Sequence, residues 1–570
     1  MKKLVLSAAV AFLATATATA QDNRDYSVQN GTDNAATTTQ AGDSNENYLL
    51  QWGDDNTSTV SQTGDENLST SAQFGTNNTG DITQGGKDNT SALIQTGVDN
   101  TATVLQKNTH FPGNFAYTEQ HGERNIADVS QDGRENNSSI VFQEGEDNNA
   151  SITQTHLENV SETHQTGTFN EVIVSQRIRN NDALVTQSGN YNFAYVTHNG
   201  QANEVIISQT GNDNDAIETD TRANRNYSEM TQIGDSNFSE VKRNGTGNSA
   251  DDNRAYVYQN GNENESMIIQ NRNDNVSDID QRGNDNKSDV NQKGNDNNAI
   301  VNQLGNTNTS DIDQIGNLNN ATVNQTVFAN NNDADIHQEG DDNIATVNQT
   351  LRSDWNTATI GQDGINNTAT VNQSLASNDN EATIDQIGSS NEATVNQIGT
   401  GLFSSSENNE ATVFQSGDLN EAIVNQAFNS FDNKATITQA GNSNEATINQ
   451  TLRSSENEAL IGQFGNDNEA TITQNGSLLA ANHSNEGTIF QFGNENLGTI
   501  TQTGSSHESL LVQLNNENTA NIMQSGTNNA AMNLQWGDLN TATVTQSGAD
   551  QFHFGSQVGN GNTLTVTQSN

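Results

Sequence analysis

The sequence predicts an all-β fold: a β-solenoid of stacked strand-turn-strand coils, two strands and about 22–24 residues per coil, with polar Asn/Gln ladders inside. Three observations carry this reading. An Asn-x5-Gln spacing recurs along the chain, the residues between Asn and Gln alternate with period two, and insertions fall after every second strand.

Composition sets the terms. Only 30% of the 570 residues are hydrophobic, mean hydropathy is -0.80 and the net charge is -50, so a set of ordinary apolar cores is excluded. Such values also mark disordered chains, but those are rich in Pro, Lys and Glu, whereas this chain has one proline, Pro112, and is dominated by Asn, Gln, Thr, Ser and Gly. Residues 1–20 read as a secretory signal: Lys2 and Lys3, an apolar run from Leu4 to Leu13, and the small residues Ala18, Thr19 and Ala20 at the expected cleavage point. The apolar run is too short to span a bilayer, and no later stretch approaches the ~18 residues required. With no cysteine, an exported chain must be held by something other than disulfides.

The repeat is clearest in Asn286, Gln292, Asn297, Gln303, Asn308, Gln314, Asn319 and Gln325, and again in Asn380, Gln386, Asn391 and Gln397. Counting His198, Asp220 and Arg243 as substitutes for the Gln, about 47 units run from Gln29 to Gln568. In the unit Asn319 to Gln325, alternation puts Asn319, Ala321, Val323 and Gln325 on one face and Asn320, Thr322 and Asn324 on the other. That is a strand of about seven residues, and its Thr and Val content agrees. Gly294, Gly305, Gly316, Gly388 and Gly399 follow the strands as turn glycines, and a positive φ would be cheap at Gly305 and Gly316.

Insertions give the number of strands per coil. Gln325, Gln338, Gln349, Gln362, Gln373, Gln386 and Gln397 are separated alternately by 13 and 11 residues, so two strands make one coil and only one of its turns accepts extra residues. Longer insertions after Gln397, Gln426, Gln450 and Gln474 keep that phase, whereas those after Gln106, Gln131, Asp220 and Arg243 take the other. The expected organisation is therefore a signal at 1–20, a first solenoid segment at 21–211, irregular repeats at 212–258 that read either as a junction or as a locally degenerate repeat, and a second segment at 259–570.

Two Val/Ile and two Ala per coil bury too little surface to order some 22 residues, so the inward amides must contribute. They can do so if each side-chain amide donates to one stacked copy and accepts from the other, which requires near-identical coils in register. The acids after the turns, Asp43, Asp54, Asp65, Asp88 and Asp99, read as solvated charges that keep the chain soluble, with weak divalent-cation binding as the sharper alternative. No capping unit is evident at either end of the pattern, so polymerisation is expected.

This Asn-x5-Gln-x-Gly-x-x-Asn pattern, in a signal-bearing chain rich in Gln, Asn and Gly, resembles the curlin repeat of bacterial curli subunits. The resemblance implies a functional amyloid fibre on the outer cell surface, serving biofilm matrix, adhesion and aggregation, and exported across the outer membrane of a diderm bacterium by dedicated machinery. It implies as partners other copies of the chain, other curlin-type subunits and that export machinery. The family's ladder carries over onto Gln292, Asn297, Gln303, Asn308, Gln314 and Asn319, and its glycine onto Gly294, Gly305 and Gly316. Curlins of the familiar type are several-fold shorter and have a targeting segment after the signal, for which little room exists here.

Other chemistry finds little footing. His156 and His164 have no HExxH or Cys context, no phosphate-binding or nucleophile motif is present, and the carboxylates follow the repeat instead of converging. Catalysis, a cofactor and a metal are not expected, and the acidic charge should repel nucleic acid; Trp52, Trp355 and Trp536 form no basic stacking groove. The alternative functional reading is a monomeric β-solenoid adhesin or other extracellular binding protein. A solenoid enzyme acting on carbohydrate would need a carboxylate cluster on one face.

Overall fold

The computed structural model describes residues 22–108, 110–245, 250–399, 405–476 and 482–570, and the signal expected at 1–20 lies outside them. All regular structure among these residues is β-strand, arranged as two parallel sheets stacked into a β-solenoid of about 24 turns. The chain divides into two compact units, Met1–Tyr258 with Gln270–Arg272 and Gln259–Ile269 with Asn273–Asn570.

In the second unit, the strand Asn320–Thr326 shows why this sequence extends. Ala321, Val323 and Gln325 are buried while Asn320, Thr322 and Asn324 face outward, as period-two alternation requires. It pairs in parallel with the strand Asn298–Leu304, Gln303 opposite Gln325, and with Ile344–Thr350, Gln325 opposite Gln349. The coils on either side of this strand are thus 22 and 24 residues, and every paired side chain sits over its equivalent in the next coil. The apolar core is a column of Val323, Val347, Val371 and Val395 from one sheet against Ile312, Ile336, Ile360 and Ile384 from the other, all fully buried. A β-branched residue at each position suits the pleat and keeps the width between the sheets constant.

The first unit repeats this plan. Glu46–Asp54 pairs with Leu68–Thr76, Gln51 opposite Gln73. Its second sheet buries the column Val60, Ile82, Val104, Val129, Ile152, Val174 and Val196. Within 212–258 the strands Asp215–Thr221, Tyr227–Ile233 and Phe238–Asn244 continue the parallel pairing without a register shift. The ladder Gln is replaced there by Asp220 and Arg243.

Turns divide into narrow and wide. At Gly316 φ is 121°, and a Cβ there would lie 1.9 Å from the carbonyl oxygen of Gly340 in the next coil. At Gly305 the positive φ open to glycine is not used, since φ lies outside the left-handed range, yet a Cβ there would still lie 1.9 Å from the Ala329 oxygen. In these turns the stacked backbones leave no room for a Cβ, and that shared constraint selects glycine. The same close approach holds at Gly294 and Gly388, where a Cβ would come within 1.5 Å and 2.1 Å of a carbonyl oxygen of the next coil. Gly399 is buried and donates its N–H to the Ser374 oxygen at 3.0 Å. The left-handed residue common to the turns sits just before the ladder Asn and is seldom glycine: Asp285, Asp296, Thr307 and Leu318 have φ of 57°, 56°, 58° and 59°.

In wide turns of the second unit a buried serine replaces the glycine. Ser353, Ser377, Ser406, Ser430 and Ser454 are fully buried, and each Oγ accepts from the Nδ2 of the following ladder Asn, at 2.7 Å in Asn356 and 2.8 Å in Asn380. The extra residues therefore build an ordered third edge, with parallel bridges from Asn330 to Asp354 and from Asp354 to Asn378.

Two substitutions separate close approach from ordinary strand chemistry. Gly316→Ala should destabilise the protein by at least about 1–3 kcal/mol, since it combines a strained φ with a backbone clash. Gly361→Ala, whose nearest neighbour is the movable Asp385 carboxylate at 3.4 Å, should be neutral or stabilising by about 0.5–1 kcal/mol. Urea midpoints of the two variants measure the contrast.

Candidate functional site

The buried amides form four columns, two of Gln and two of Asn. Gln303 Nε2 donates to Gln325 Oε1 of the next coil at 2.9 Å, to Lys287 O across the coil at 2.9 Å and to Asn308 O at 3.1 Å. Gln292 donates to Gln314 at 3.0 Å, Gln314 to Gln338 at 2.9 Å, Gln325 to Gln349 at 2.9 Å, and Gln386 to Gln415 at 2.8 Å. Gln397 donates to Gln426 at 3.0 Å even though 29 residues separate them, so an insertion leaves the column intact.

The Asn columns run the other way. Asn308 Nδ2 donates back to Asn286 Oδ1 at 3.1 Å, Asn297 to Asn275 at 3.1 Å, Asn380 to Asn356 at 3.1 Å and Asn391 to Asn367 at 3.1 Å. Their Nδ2 groups also donate forward, Asn308 to Ala329 O and Asn297 to Gly316 O at 2.9 Å, and Asn319 likewise donates to Gly340 O at 2.8 Å and accepts from Asn343 Nδ2 at 3.2 Å. Every predicted ladder residue named above from Asn286 to Gln397 is fully buried or nearly so. Gln amides thus donate to the Gln of the later coil, whereas Asn amides donate both to the Asn of the earlier coil and to a turn carbonyl of the later one.

Outside the core, a further column was readable only in part. Asn302, Asn324, Asn348 and Asn372 link through Nδ2 to Oδ1 at 2.8–2.9 Å on the half-buried outer face. Among the turn acids, Asp54 accepts from the N–H and hydroxyl of Thr32 at 2.9 Å and 2.6 Å, and these bonds hold its carboxyl below its ordinary range. Asp65 pairs with Lys87 at 2.9 Å. These acids link neighbouring coils as well as meeting solvent.

One column is broken by charge. His198, Asp220 and Arg243 occupy three successive Gln positions in the second sheet of the first unit, and Glu218 takes the Val/Ile position beside Asp220. All four are fully buried. Arg243 reproduces what a Gln would do: Nε donates to Gln270 Oε1 at 3.0 Å, and Nη2 to Tyr227 O, sixteen residues back, at 2.9 Å. Its Nη1 then donates to Glu218 Oε1 at 2.8 Å and Asp220 Oδ1 at 3.2 Å. Sequence reasoning found the three substitutions but missed Glu218, which alternation within Asn214 to Asp220 would have turned inward.

Burial, and next the charge of Asp220, push the Glu218 carboxyl up to about 8 against the opposing pull of Arg243. Burial lowers His198 to about 4. Glu218 Oε2 and Asp220 Oδ2 accept no hydrogen bond, which favours the protonated form of Glu218 beside the charge of Asp220. His198, Glu218 and Asp220 also offer one ligand atom each within 4.8 Å of one another, the geometry a cation could use. Arg243 already brings positive charge to both carboxylates, so the cluster is electrostatically matched by the chain itself.

This architecture defines a class: a parallel β-solenoid whose interior is cross-linked by side-chain amides. The family model for the curlin associated repeat matches eleven stretches, residues 31–64, 75–107, 122–155, 179–217, 273–305, 294–326, 352–374, 378–404, 454–476, 483–514 and 516–548. Together they cover more than half of the chain, which belongs to this family. No curated protein matches it significantly.

Two measurements probe these columns. Gln349→Leu strips the Gln373 Oε1 of its donor and the Gln325 amide of its stacked acceptor, and should lower stability by about 1–3 kcal/mol in urea titration. For Glu218, the folded protein holds a proton that the unfolded chain has released at any pH between its ordinary range and about 8, so stability falls as pH rises through that window. His198 acts oppositely but only below its ordinary value of 6.5, leaving pH 6.5–8 to Glu218. Stability should drop there by up to about 1.4 kcal/mol per pH unit, and Glu218→Gln, which copies the protonated acid, should flatten the slope in urea midpoints taken across the window.

Proposed function

We propose that this chain is a secreted structural protein that self-assembles into extracellular curli-like amyloid fibres for biofilm matrix, adhesion and cell aggregation. Curlin repeats suggest a fibre subunit, and family and solenoid together point to a structural protein rather than an enzyme. The observation that supports assembly most directly is the translational sameness of the ladders. Each coil receives the same amide and backbone bonds from the coil before it as it gives to the coil after, so a further copy stacked on a terminal coil repeats bonds already present inside.

Its partners are other copies of the chain and other curlin-type subunits, with outer-membrane machinery for export from a diderm cell. No helix among the described residues is long and apolar enough to cross a membrane. The acidic faces keep the exported chain dispersed until stacking begins, because like charges on successive coils lie within the Debye length of ~8 Å.

Purified protein should grow from preformed seeds without a lag and give a fibre reflection near ~4.8 Å along the axis. A chain that stays monomeric at neutral pH in the presence of seeds would overturn the reading in favour of a monomeric adhesin.

A further inference from the structure

The wide turns of the second unit carry a feature that neither folding nor stacking requires. Their tips are pairs of consecutive left-handed residues: Val327 and Phe328 at φ 62° and 63°, Leu351 and Arg352 at 62° and 63°, Leu375 and Ala376 at 61° and 62°, Phe428 and Asn429 at 62° and 66°, and Leu452 and Arg453 at 58° and 63°. Two-residue turns of this kind favour Asn and Gly, and bulky or β-branched residues are disfavoured in them. The first tip residue is bulky and apolar in these five turns, while Gly399, whose N–H bonds Ser374 O as that of Leu375 bonds Thr350 O, takes the place in the coil between Leu375 and Phe428.

These side chains are also exposed: Phe328 is 73% accessible, and Val327, Leu351, Leu375, Phe428 and Leu452 range from 37% to 48%. The tips are held in line by backbone bonds, Leu351 N to Thr326 O at 3.1 Å and Leu375 N to Thr350 O at 3.2 Å, so the apolar groups form a stripe with a step of about 4.8 Å. The narrow turns of the same unit have no such run. Leu318 and Leu419 are exposed there, but Asp342, Asn366 and Ser390 stand between them. Two apolar runs, Val327 to Leu375 and Phe428 to Leu452, separated by the coil that carries Gly399, on an otherwise acidic surface mark an interaction site.

We propose that this stripe is a lateral docking edge for a second copy of the same chain. Three observations favour that occupant. The step of the stripe is set by the coil, and a second solenoid edge has the same step, so all the apolar groups can be covered at once. The tips carry no acid and include Arg352 and Arg453, which suit a partner as acidic as this chain. The stripe also contains both halves of a fit: Phe328 protrudes, and a shallow hollow of about 250 Å³ lined by Asn429, Phe431, Arg453, Ser455 and His483 lies further along the same edge. Side-by-side pairing does not depend on end-to-end growth.

The test uses the full chain with Val327, Leu351, Leu375, Phe428 and Leu452 each changed to Asn, a residue that tolerates the left-handed conformation. Melting temperature should be unchanged or raised, which shows that the variant folds. Mass per unit length, from small-angle scattering of soluble rods or from electron microscopy of fibres, should be that of two chains side by side in the wild type and fall twofold in the variant. Axial growth is read separately from particle length, so a failure of fibre formation leaves this result intact. A wild-type cross-section of one chain, or a variant that keeps the paired cross-section, overturns the proposal. So does a single-chain wild type whose binding to phosphatidylcholine vesicles is lost in the variant, which would assign the stripe to lipid.

Discussion

The structure depends on one interaction, the hydrogen bond between a side-chain amide and its copy one coil away. A Gln or Asn buried alone is costly because it presents both donors and acceptors that a dry interior cannot satisfy. Stacked in register, the same group is satisfied on both sides. Gln325 receives from Gln303 and gives to Gln349, and its spare donor capacity closes on Thr309 O across the coil. The polar interior is therefore conditional: it is stable as a column and unstable as an isolated residue. That condition accounts for the repetition of the sequence more directly than any demand of the apolar core, where Val and Ile exchange freely between coils.

It also explains where variation is permitted. Chain can be added in turns, because a 29-residue step from Gln397 to Gln426 leaves the bond at 3.0 Å, but it cannot be added within a strand. In the second unit the added residues have become structure of their own, with a buried serine standing in for the turn glycine and bonding the next ladder Asn. The charged break follows the same logic. Arg243 keeps the cross-coil bond and the axial bond of the Gln it replaces, while Glu218 and Asp220 answer its charge. Breaking such a buried set by removing one member is costly, whereas keeping it complete need add no net stability. Pairing any of these strands with a different coil would leave a buried charge without its partners.

Most of the fold was legible in the sequence because the period-two pattern and the spacing of Gln leave little freedom. The burial of Asn319, Ala321, Val323 and Gln325 on one face needed only alternation. The glycines were found for an incomplete reason. Sequence reasoning saw only that a positive φ would be cheap at Gly305, whereas the need there is room for the carbonyl of Ala329, a contact between coils that no local pattern reports. The left-handed residues before each Asn were hidden for a related cause, since Asp285, Thr307 and Leu318 share no side-chain chemistry and only the backbone unites them. The buried acid Glu218 was hidden by expectation alone, because a charge was not anticipated in a Val/Ile column.

The opposed directions of the amide columns bear on how long such an object can be. Where the columns are regular, each Gln carbonyl faces the earlier coil and each Asn carbonyl the later one, so the two sets of side chains oppose one another along the stack and do not add up as peptide dipoles do along an α-helix. A regular coil meets the same interior bonds wherever it is added, and any limit to length comes from the acidic surface instead.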